Sequence, residues 1–387
     1  MSQVMPAQPD LAPGRGASWA DRFSAWREAL TARPGFRAWA ARFPLTRPLA
    51  RRRARALFDL CAGFVYSQVL AACVRLRLFE VLHAAPASAS SLAAQTGLSP
   101  DAMQRLLVAA EALELVRRRA DGQWALGPLG AAMIGNPGIA AMVEHHAMLY
   151  TDLADPVALL KRERGGTALA NYWAYAGAAQ PDSLPGTRVS DYTALMAASQ
   201  PMVAQEVLAA YRFGRHRHLM DVGGGSGAFL AAVGQSAPGL ALTLFDLPAV
   251  AEQGRARFER AGMAGRARVT GGDFSADSLP LGADIISLVR VLHDHDDDVV
   301  RALLGRVRAA LPPGGRVLIA EPMAGTPGAE PMGGAYFGFY LLAMGRGRPR
   351  RPEELAEMLR SAGFGPARLL PTDTPLLTRV MVADVSP

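Results

Sequence analysis

The chain has 387 residues, of which 50% are hydrophobic and 19% are charged, and its formal net charge is +7. This length and hydrophobic content allow two domains with a sizeable core. We expect no stretch long enough to span a bilayer and no secretory signal. The two cysteines, Cys61 and Cys73, imply neither a disulfide framework nor a metal site, and they fit a reducing cytoplasm.

The basic excess of the chain lies in an N-terminal arm, residues 1–55. The arm contains eleven arginines and three acidic side chains. Apolar side chains recur among the arginines, namely Trp19, Phe23, Trp26, Leu30, Phe36, Trp39 and Phe43. An arginine- and tryptophan-rich amphipathic segment is typical of proteins that lie on an anionic membrane surface. The pattern fits equally an arm that docks on its own domain or on a dimer partner, and the sequence leaves both alternatives open.

Residues 56–195 are predicted to form a helical domain of the winged-helix type. Apolar residues from Leu57 onward recur every three or four positions, residues 91–107 have a helix–turn–helix pattern, and Asp121-Gly122 marks a hairpin turn. This pattern raises the alternative of a DNA-binding regulator. The candidate recognition helix, residues 101–113, is mainly apolar, whereas base and phosphate contacts require polar and basic side chains. We therefore expect no nucleic-acid partner.

A middle helical stretch, Gly138 to Tyr211, links the domains and offers side chains for a substrate pocket. The candidates are Met142, His145, His146, Met148, Leu149, Tyr150, Tyr172, Trp173, Tyr175 and Met196. The pair His145-His146 has no partner at metal-ligand spacing, so no metal site is predicted.

The C-terminal domain, residues 196–387, alternates apolar strand-like runs with helical stretches, which predicts an open α/β sheet. The glycines Gly223, Gly225 and Gly227 follow the run that ends at Val222. Glycines at a strand-to-helix turn let the backbone approach a ligand closely, with the helix N-terminus behind them. Their spacing is one residue shorter than the dinucleotide fingerprint, and the glycines alone are equally consistent with a plain turn.

Acidic residues at two later strand ends strengthen the hypothesis of a nucleotide site. Asp246 lies roughly twenty residues beyond the glycines, where an α/β nucleotide-binding unit has the acid that binds ribose hydroxyls. Asp273 follows the next run and is placed to accept a bond from an adenine amino group, with the ring against Phe274. Because both NAD and S-adenosylmethionine carry a ribose, Asp246 alone does not distinguish them.

The fourth strand leads through Arg290 to His293 and Asp294. Transfer of an activated methyl group needs a positioned nucleophile and an acceptor for its proton, and an imidazole suits the second task near neutral pH. The alternative is that His293 caps the acidic helix start that follows, a solvated segment to which we assign His295. The ordered set of strand ends favours a methyltransferase that uses S-adenosylmethionine.

With these motifs the chain resembles the S-adenosylmethionine-dependent O-methyltransferases of the plant caffeate/acetylserotonin type and their bacterial relatives, from about Leu57 to the C-terminus. The resemblance implies an α/β protein with a C-terminal Rossmann-like methyltransferase domain, an N-terminal winged-helix dimerisation domain, S-adenosyl-L-methionine as cofactor and a homodimer. It implies that His293 is the general base and that Glu321 and Glu354 flank it, with Glu353 as the register alternative. Acids in the first turn of a helix also have a purely structural explanation.

The resemblance also implies binding residues. Those for the cofactor are Ser199, Gly223, Gly225, Gly227, Asp246, Leu247, Asp273, Phe274 and Arg290. Those for the substrate are Asp294, Tyr336, Phe339 and Tyr340. Three positions differ from plant members, which usually have a lysine and two tryptophans there: Val289, Arg290 and His295. The aromatic clamp for a flat phenolic ring is therefore partly missing.

Residues 43–60 and 63–70 resemble the carotenoid branch of this family, the hydroxyneurosporene/demethylspheroidene O-methyltransferases of purple phototrophic bacteria. The implied acceptor is a tertiary hydroxyl at the end of a C40 polyene. The apolar helix predicted over residues 333–344 suits such a long hydrocarbon. The alternatives are a soluble aromatic or polyketide acceptor and, in a different class, the winged-helix regulator. We expect a cytoplasmic protein; of the two alternatives for the arm, membrane contact would place the protein peripherally on the inner, photosynthetic membrane.

Overall fold

The computed structural model of the chain describes residues 18–161, 166–173 and 199–386. These residues belong to two compact units, Met1–Ala72 and Cys73–Pro387. The domain boundary predicted between residues 55 and 56 falls inside a single long helix, so the structure places the division further along the chain. The predicted pocket residues Tyr175 and Met196, and the boundary predicted after residue 195, lie outside the described residues.

The described part of the first unit, from residue 18 onward, consists of helices. They are α1 (Trp19–Ala32), α2 (Pro34–Arg42) and α3 (Arg47–Arg75), the last of which ends in the second unit. α1 begins with a capping box, in which the Ser18 hydroxyl accepts a hydrogen bond from the Asp21 N–H at 3.2 Å and the Asp21 carboxylate accepts one from the Ser18 N–H at 3.2 Å. The arginine- and aromatic-rich part of the arm is therefore helical from its first described residues.

Helix α3 is long and apolar enough, by length and composition, to cross a membrane. The apolar stretch of α3 is largely exposed, with 17% of it buried. The expectation that no stretch is long enough was wrong for this helix, because Asp59 is the only charged residue among residues 56–74. Composition does not distinguish a membrane helix from one whose apolar face meets another protein surface.

The second unit begins with the predicted winged helix. Its elements are α4 (Leu78–Ala84), α5 (Ala89–Thr96), α6 (Pro100–Ala112), the antiparallel strands β1 (Val116–Arg118) and β2 (Trp124–Leu126), and α7 (Pro128–Met133). Along α6, the candidate recognition helix, Met103, Leu107 and Ala110 are buried. Its apolar face therefore packs inside its own domain.

A helical segment follows the winged helix. It contains α8 (Pro137–Asp152), α9 (Pro156–Lys161), α10 (Ala168–Tyr172) and α11 (residues 199–210). The Asp152 carboxylate at the end of α8 accepts hydrogen bonds from the N–H groups of Ala168 and Leu169, each at 2.8 Å. These bonds satisfy free donors at the start of α10 and join it to α8.

The C-terminal part is a seven-stranded sheet. Its strands are β3 (His218–Val222), β4 (Ala241–Asp246), β5 (Ala267–Gly271), β6 (Ile285–Val289), β7 (Arg316–Glu321), β8 (Arg368–Leu370) and β9 (Arg379–Asp384). The spatial order is β5-β4-β3-β6-β7-β9-β8; β9 pairs antiparallel with β7 and β8, and the other neighbouring pairs are parallel. The strand order reverses between β3 and β6, which places the ligand crevice at their carboxyl ends. The predicted Rossmann-like α/β domain is confirmed.

Helices cover both faces of this sheet. They are α12 (Ala228–Ser236), α13 (Pro248–Arg260), α14 (Asp297–Ala310) and, after α15 (Phe337–Met344), α16 (Pro352–Ser361). Helix α15 packs with α8, α9 and α10 instead. Side chains alternate between two buried clusters, so that Leu219 of β3 packs with α11, α12 and α13 while Met220 packs with α14 and α16. A 3-10 turn, Leu292–Asp294, follows β6, and a π-helical turn, Pro331–Tyr336, precedes α15.

Candidate active site

The glycine run forms a tight turn between β3 and α12. Gly223, Gly225 and Gly227 have φ angles of 69°, 60° and 72°, which residues with a Cβ rarely adopt. A Cβ on Gly223 would lie 2.9 Å from a methyl group of Val291, whereas a Cβ on Gly225 would meet no described atom within 4 Å. The turn is therefore closed on its sheet side and open at Gly225, where the N-terminus of α12 favours a polar ligand.

Asp246, at the end of β4, is bound to the glycine turn. Its carboxylate accepts hydrogen bonds from the N–H of Gly225 at 2.7 Å and from the N–H of Leu247 at 2.8 Å. Burial raises the pKa of Asp246 to about 6, although the two backbone bonds oppose this shift. Each carboxylate oxygen keeps a further lone pair for a hydroxyl donor, so the geometry fits a ribose as well as a backbone tether.

A second acid, Asp221, lies fully buried in β3 beneath the glycine turn. Its Oδ1 accepts a hydrogen bond from the Ser287 hydroxyl at 2.6 Å, and its Oδ2 has no hydrogen-bond partner among the described residues. Burial raises the pKa of Asp221 to about 7. A buried oxygen without a partner marks a place for a water or a ligand donor. From the sequence, no role was assigned to Asp221.

The residues predicted to hold the adenine ring follow β5. Asp273 accepts a hydrogen bond from the Ser275 N–H at 2.7 Å, and its own N–H donates to Asp277 at 2.8 Å. Phe274 packs edge-on against His295, with ring centroids 5.2 Å apart. His295 therefore does not belong to a solvated helix start as predicted, because it packs against Phe274 and burial lowers its pKa.

Arg290 and Ser199 meet in the structure although they are far apart in the sequence. The Arg290 guanidinium donates to the Ser199 hydroxyl at 2.7 Å, and the Arg290 N–H donates to the Ala320 carbonyl at 2.8 Å. Arg290 has a φ of 58°, a left-handed conformation that is uncommon outside glycine. Backbone strain of this kind clusters at functional sites.

The imidazole of His293 lies between two carboxylates. Its Nδ1 is 3.2 Å from Glu321 Oε2, which also accepts a hydrogen bond from the His293 N–H at 3.1 Å. Its Nε2 is 3.2 Å from Asp294 Oδ1. A proton on Nδ1 satisfies Glu321 and leaves Nε2 as the basic nitrogen. The structure thus has the arrangement of a general base held by a buried acid.

The surroundings of His293 make it a stronger base than free imidazole. Burial lowers its pKa, but the negative charge of Asp294 and the hydrogen bond and charge of Glu321 raise it by more, so the net shift of the His293 pKa is upward. Glu321 is fully buried, and its Oε1 has no hydrogen-bond partner in the described part of the chain.

Glu354 does not flank the base, which differs from the prediction. Its carboxylate accepts hydrogen bonds from the Arg348 guanidinium at 2.7 Å and from the Arg351 N–H at 2.8 Å. Glu353 is exposed, so the register alternative does not supply the acid either. The physical reason is that acids in a first helical turn bind the free backbone donors there. The second acid at the imidazole is Asp294.

Sequence reasoning missed Phe337, which packs edge-on against His293 with ring centroids 5.7 Å apart. Tyr336 lies beside it, and the Tyr336 hydroxyl is 2.7 Å from His146 Nε2. The π-helical turn that ends at Tyr336 contains more residues per turn than an α-helix, so a regular helical count does not place Phe337 at the base. The base therefore faces the rings of Phe337 and Tyr336, which we call the aromatic wall.

Tyr340 and Phe339 belong to the packing behind this wall. The Tyr340 hydroxyl is 2.7 Å from His145 Nε2 and accepts a hydrogen bond from Trp173 Nε1 at 3.1 Å. Burial lowers the pKa of His145 to about 4, so this histidine is neutral. These contacts join α8 and α10 to α15, and Phe339 is half-buried in the same cluster. Within the described residues, no group of three or more histidines, cysteines or carboxylates has the arrangement of a metal site.

Two family profiles match the chain. The O-methyltransferase domain matches residues 150–365, and the O-methyltransferase dimerisation domain matches residues 58–136. The demethylspheroidene O-methyltransferase of Cereibacter sphaeroides is 47% identical over 352 residues, which cover 90% of this chain and 91% of that protein.

The chain belongs to the O-methyltransferase family.

More distant members extend this relationship to other acceptors. The acetylserotonin O-methyltransferase of Mus musculus is 33% identical over 340 residues, 81% of this chain and 84% of that protein. The structure of CalO1, a methyltransferase in calicheamicin biosynthesis with SAH bound, superposes with a TM-score of 0.72 at 27% identity, covering 87% of this chain and 98% of that one.

The prediction of an O-methyltransferase with a dimerisation domain is confirmed, and the regulator hypothesis is wrong. The dimerisation domain of this O-methyltransferase supports a homodimer.

Proposed function

We propose that this O-methyltransferase transfers a methyl group from S-adenosylmethionine to the tertiary hydroxyl of a hydroxylated carotenoid, in carotenoid biosynthesis. The observation that carries this proposal is the high identity, over nearly the whole of both chains, to demethylspheroidene O-methyltransferase. The Phe337 ring beside His293 supports a hydrocarbon acceptor, because a phenyl ring presents no hydrogen-bonding group.

The donor site is the crevice at the carboxyl ends of β3 and β4. When bound, S-adenosylmethionine supplies a methyl group that its sulfonium has already activated. Asp246 would accept hydrogen bonds from the ribose hydroxyls beside the open face of Gly225, Phe274 would pack on the adenine ring, and Ser199 with Arg290 would bind the amino-acid end.

His293 removes the proton of the acceptor hydroxyl. A tertiary alcohol is a far weaker acid than a phenol, so Nε2 takes the proton during methyl transfer and not before it. Glu321 holds Nδ1 and stabilises the imidazolium that forms. Positioning of the reactants contributes up to about 7–11 kcal/mol to such a reaction, and a general base contributes roughly 10²–10⁴-fold.

The acceptor class is tested by offering alternatives in one mixture. The enzyme, labelled S-adenosylmethionine and detergent micelles containing hydroxylated carotenoids and phenols are incubated together, and the products are separated. We expect the label in the carotenoid fraction, as a methoxy product. Label in the phenols alone would contradict the carotenoid acceptor and favour a soluble aromatic one, the class named in the acetylserotonin relative. An enzyme-free mixture is the control.

The arm supports a further proposal, peripheral attachment of the enzyme to the inner membrane from the cytoplasmic side. Trp19, Phe23 and Trp26 form a row of ring contacts with centroids 5.6 and 5.8 Å apart, and Trp39 stacks on Phe43 at 4.9 Å. Trp19, Trp26 and Trp39 are 80%, 59% and 50% exposed. Exposed tryptophans among arginines suit the interface of an anionic bilayer, where a hydrocarbon substrate dissolves.

The exposed apolar face of α3 suits a different partner. Leu57, Leu60 and Phe64 are 65%, 82% and 69% exposed, and the dimerisation domain match begins at residue 58, within this helix. A second copy of the chain is therefore the partner that we propose for this face. The two exposed surfaces of the first unit then have separate roles.

Replacing Trp19, Trp26 and Trp39 together by alanine is expected to weaken binding to anionic vesicles at least tenfold, because burying one large apolar side chain contributes about 1.5–3 kcal/mol. Co-sedimentation with phosphatidylglycerol-containing and with purely zwitterionic vesicles measures this change. Leu281→Ala, which alters a 77% exposed side chain outside the arm, is the matched control. Equal partitioning of the triple variant and the parent would favour an arm docked on protein.

A further inference from the structure

A second segment of the chain passes directly over the loop that carries the base. We call residues 347–350 the strap and residues 292–297 the base loop. A Cβ on Gly347 would overlap the carbonyl oxygen of His293 and lie 2.6 Å from the carbonyl carbon of Asp294. Gly347 also has a φ of 73°. Only glycine lets the strap approach the backbone of the base this closely.

The guanidinium of Arg350 binds the base loop on both sides of His293. Arg350 is fully buried. It donates to the Leu292 carbonyl at 2.6 Å, to the His295 carbonyl at 2.7 Å, and to Asp297 Oδ1 at 3.0 and 2.8 Å. A buried guanidinium is unfavourable unless charges and lone pairs compensate it, so these partners specify one position for the loop.

The rest of the strap strengthens this connection. Arg348 donates to the two Asp297 oxygens at 3.1 and 3.0 Å and to Glu354 at 2.7 Å. The hydrogen bonds from Arg348, with those from Arg350, lower the pKa of Asp297 to about 2, so Asp297 stays charged at any working pH. The Gly347 N–H donates to Asp296 at 3.1 Å. Glu354 therefore anchors the strap and not the imidazole.

We infer that the strap fixes the position of the catalytic base, and that Arg350 is a positioning residue for methyl transfer, acting through the carbonyls of Leu292 and His295. The inference rests on the proposed role of His293. Without these bonds the base loop shifts, and the imidazole leaves its place against Glu321. A displacement of about 1 Å at a reacting group can reduce a rate roughly 100-fold.

The first test compares Arg350→Lys and Gly347→Ala with the matched control Arg360→Lys, since Arg360 is an exposed arginine of α16 that pairs with Glu357. We expect kcat to fall roughly 30- to 100-fold in the first two variants, with less than a threefold change in the dissociation constant of S-adenosylmethionine and no change in the control. An unchanged kcat in both folded strap variants would overturn the inference.

The pH dependence separates positioning from a general structural defect. The neutral imidazole is the base, so kcat falls as the pH drops through the raised pKa of His293. If Arg350→Lys moves the imidazole away from Glu321, whose hydrogen bond and charge raise this pKa, the pKa decreases and the acid limb of the profile moves to lower pH. A lower kcat with an unmoved acid limb would contradict positioning.

A double-mutant cycle distinguishes failure of this inference from failure of the proposed base. If Arg350 acts through His293, Arg350→Lys causes no further loss in a His293→Ala background. If the two substitutions lower kcat independently, so that their fold-losses multiply in the double variant, the strap inference is overturned and the role of His293 as base is unaffected. Full activity of His293→Ala alone would remove the base itself.

Discussion

Replacing His293 by alanine is expected to lower kcat roughly 10²–10⁴-fold and to leave the binding of S-adenosylmethionine nearly intact. The imidazole is the only basic nitrogen that the described structure places between two carboxylates at the switch point of the sheet. Its removal takes away the proton acceptor, whereas the glycine turn and Asp246 stay in place. Single-turnover transfer of label measures the first quantity, and titration calorimetry measures the second.

The matched control for His293→Ala is His83→Ala, because His83 is an exposed histidine of α4 that takes no part in the site. It should retain full turnover. Strong residual activity of His293→Ala, with the donor bound normally, would exclude this imidazole as the base. Loss of donor binding in the same variant would instead assign His293 to the nucleoside site.

Replacing Asp246 by alanine is expected to weaken S-adenosylmethionine binding about 10- to 100-fold, because hydrogen bonds to a charged group contribute about 1.5–3 kcal/mol. The carboxylate also accepts the N–H groups of Gly225 and Leu247, so its loss releases the glycine turn as well as the ribose. Equilibrium binding of the labelled donor to the folded variant measures the effect.

Glu252→Ala is the control for this experiment, since Glu252 is exposed on α13, the helix that follows Asp246, and pairs with Arg255. A dissociation constant for Asp246→Ala equal to that of the control would mean that the nucleoside lies elsewhere. Asp246→Asn keeps one acceptor oxygen and should bind with intermediate affinity.

The sequence was sufficient to place the polar residues at one edge of the sheet. Asp246, His293 and Glu321 each end or follow an apolar run, and parallel strands bring their carboxyl ends to the same edge. The family resemblance implied Asp294 as a substrate residue, and the structure places its carboxylate 3.2 Å from Nε2 of His293.

The remaining features depend on geometry that a linear pattern does not contain. Phe337 reaches the base because a π-helical turn shifts the register of the following helix. Arg350 binds the carbonyl of Leu292, 58 residues earlier in the chain, and no sequence pattern near either residue predicts this contact. The prediction that Glu354 flanks His293 was wrong, because the sequence does not show whether an acid in a first helical turn binds the helix N-terminus, a neighbouring arginine or the catalytic imidazole.

The left-handed backbone at Arg290 sets two requirements against each other. A backbone with a φ of 58° is more stable with glycine than with arginine, by about 1–2 kcal/mol. The hydrogen bond to the Ser199 hydroxyl, however, requires the arginine side chain. Random mutagenesis followed by heat challenge would therefore enrich glycine at position 290, and a screen for product would reject it. Thermostability engineering of this enzyme should hold that codon constant.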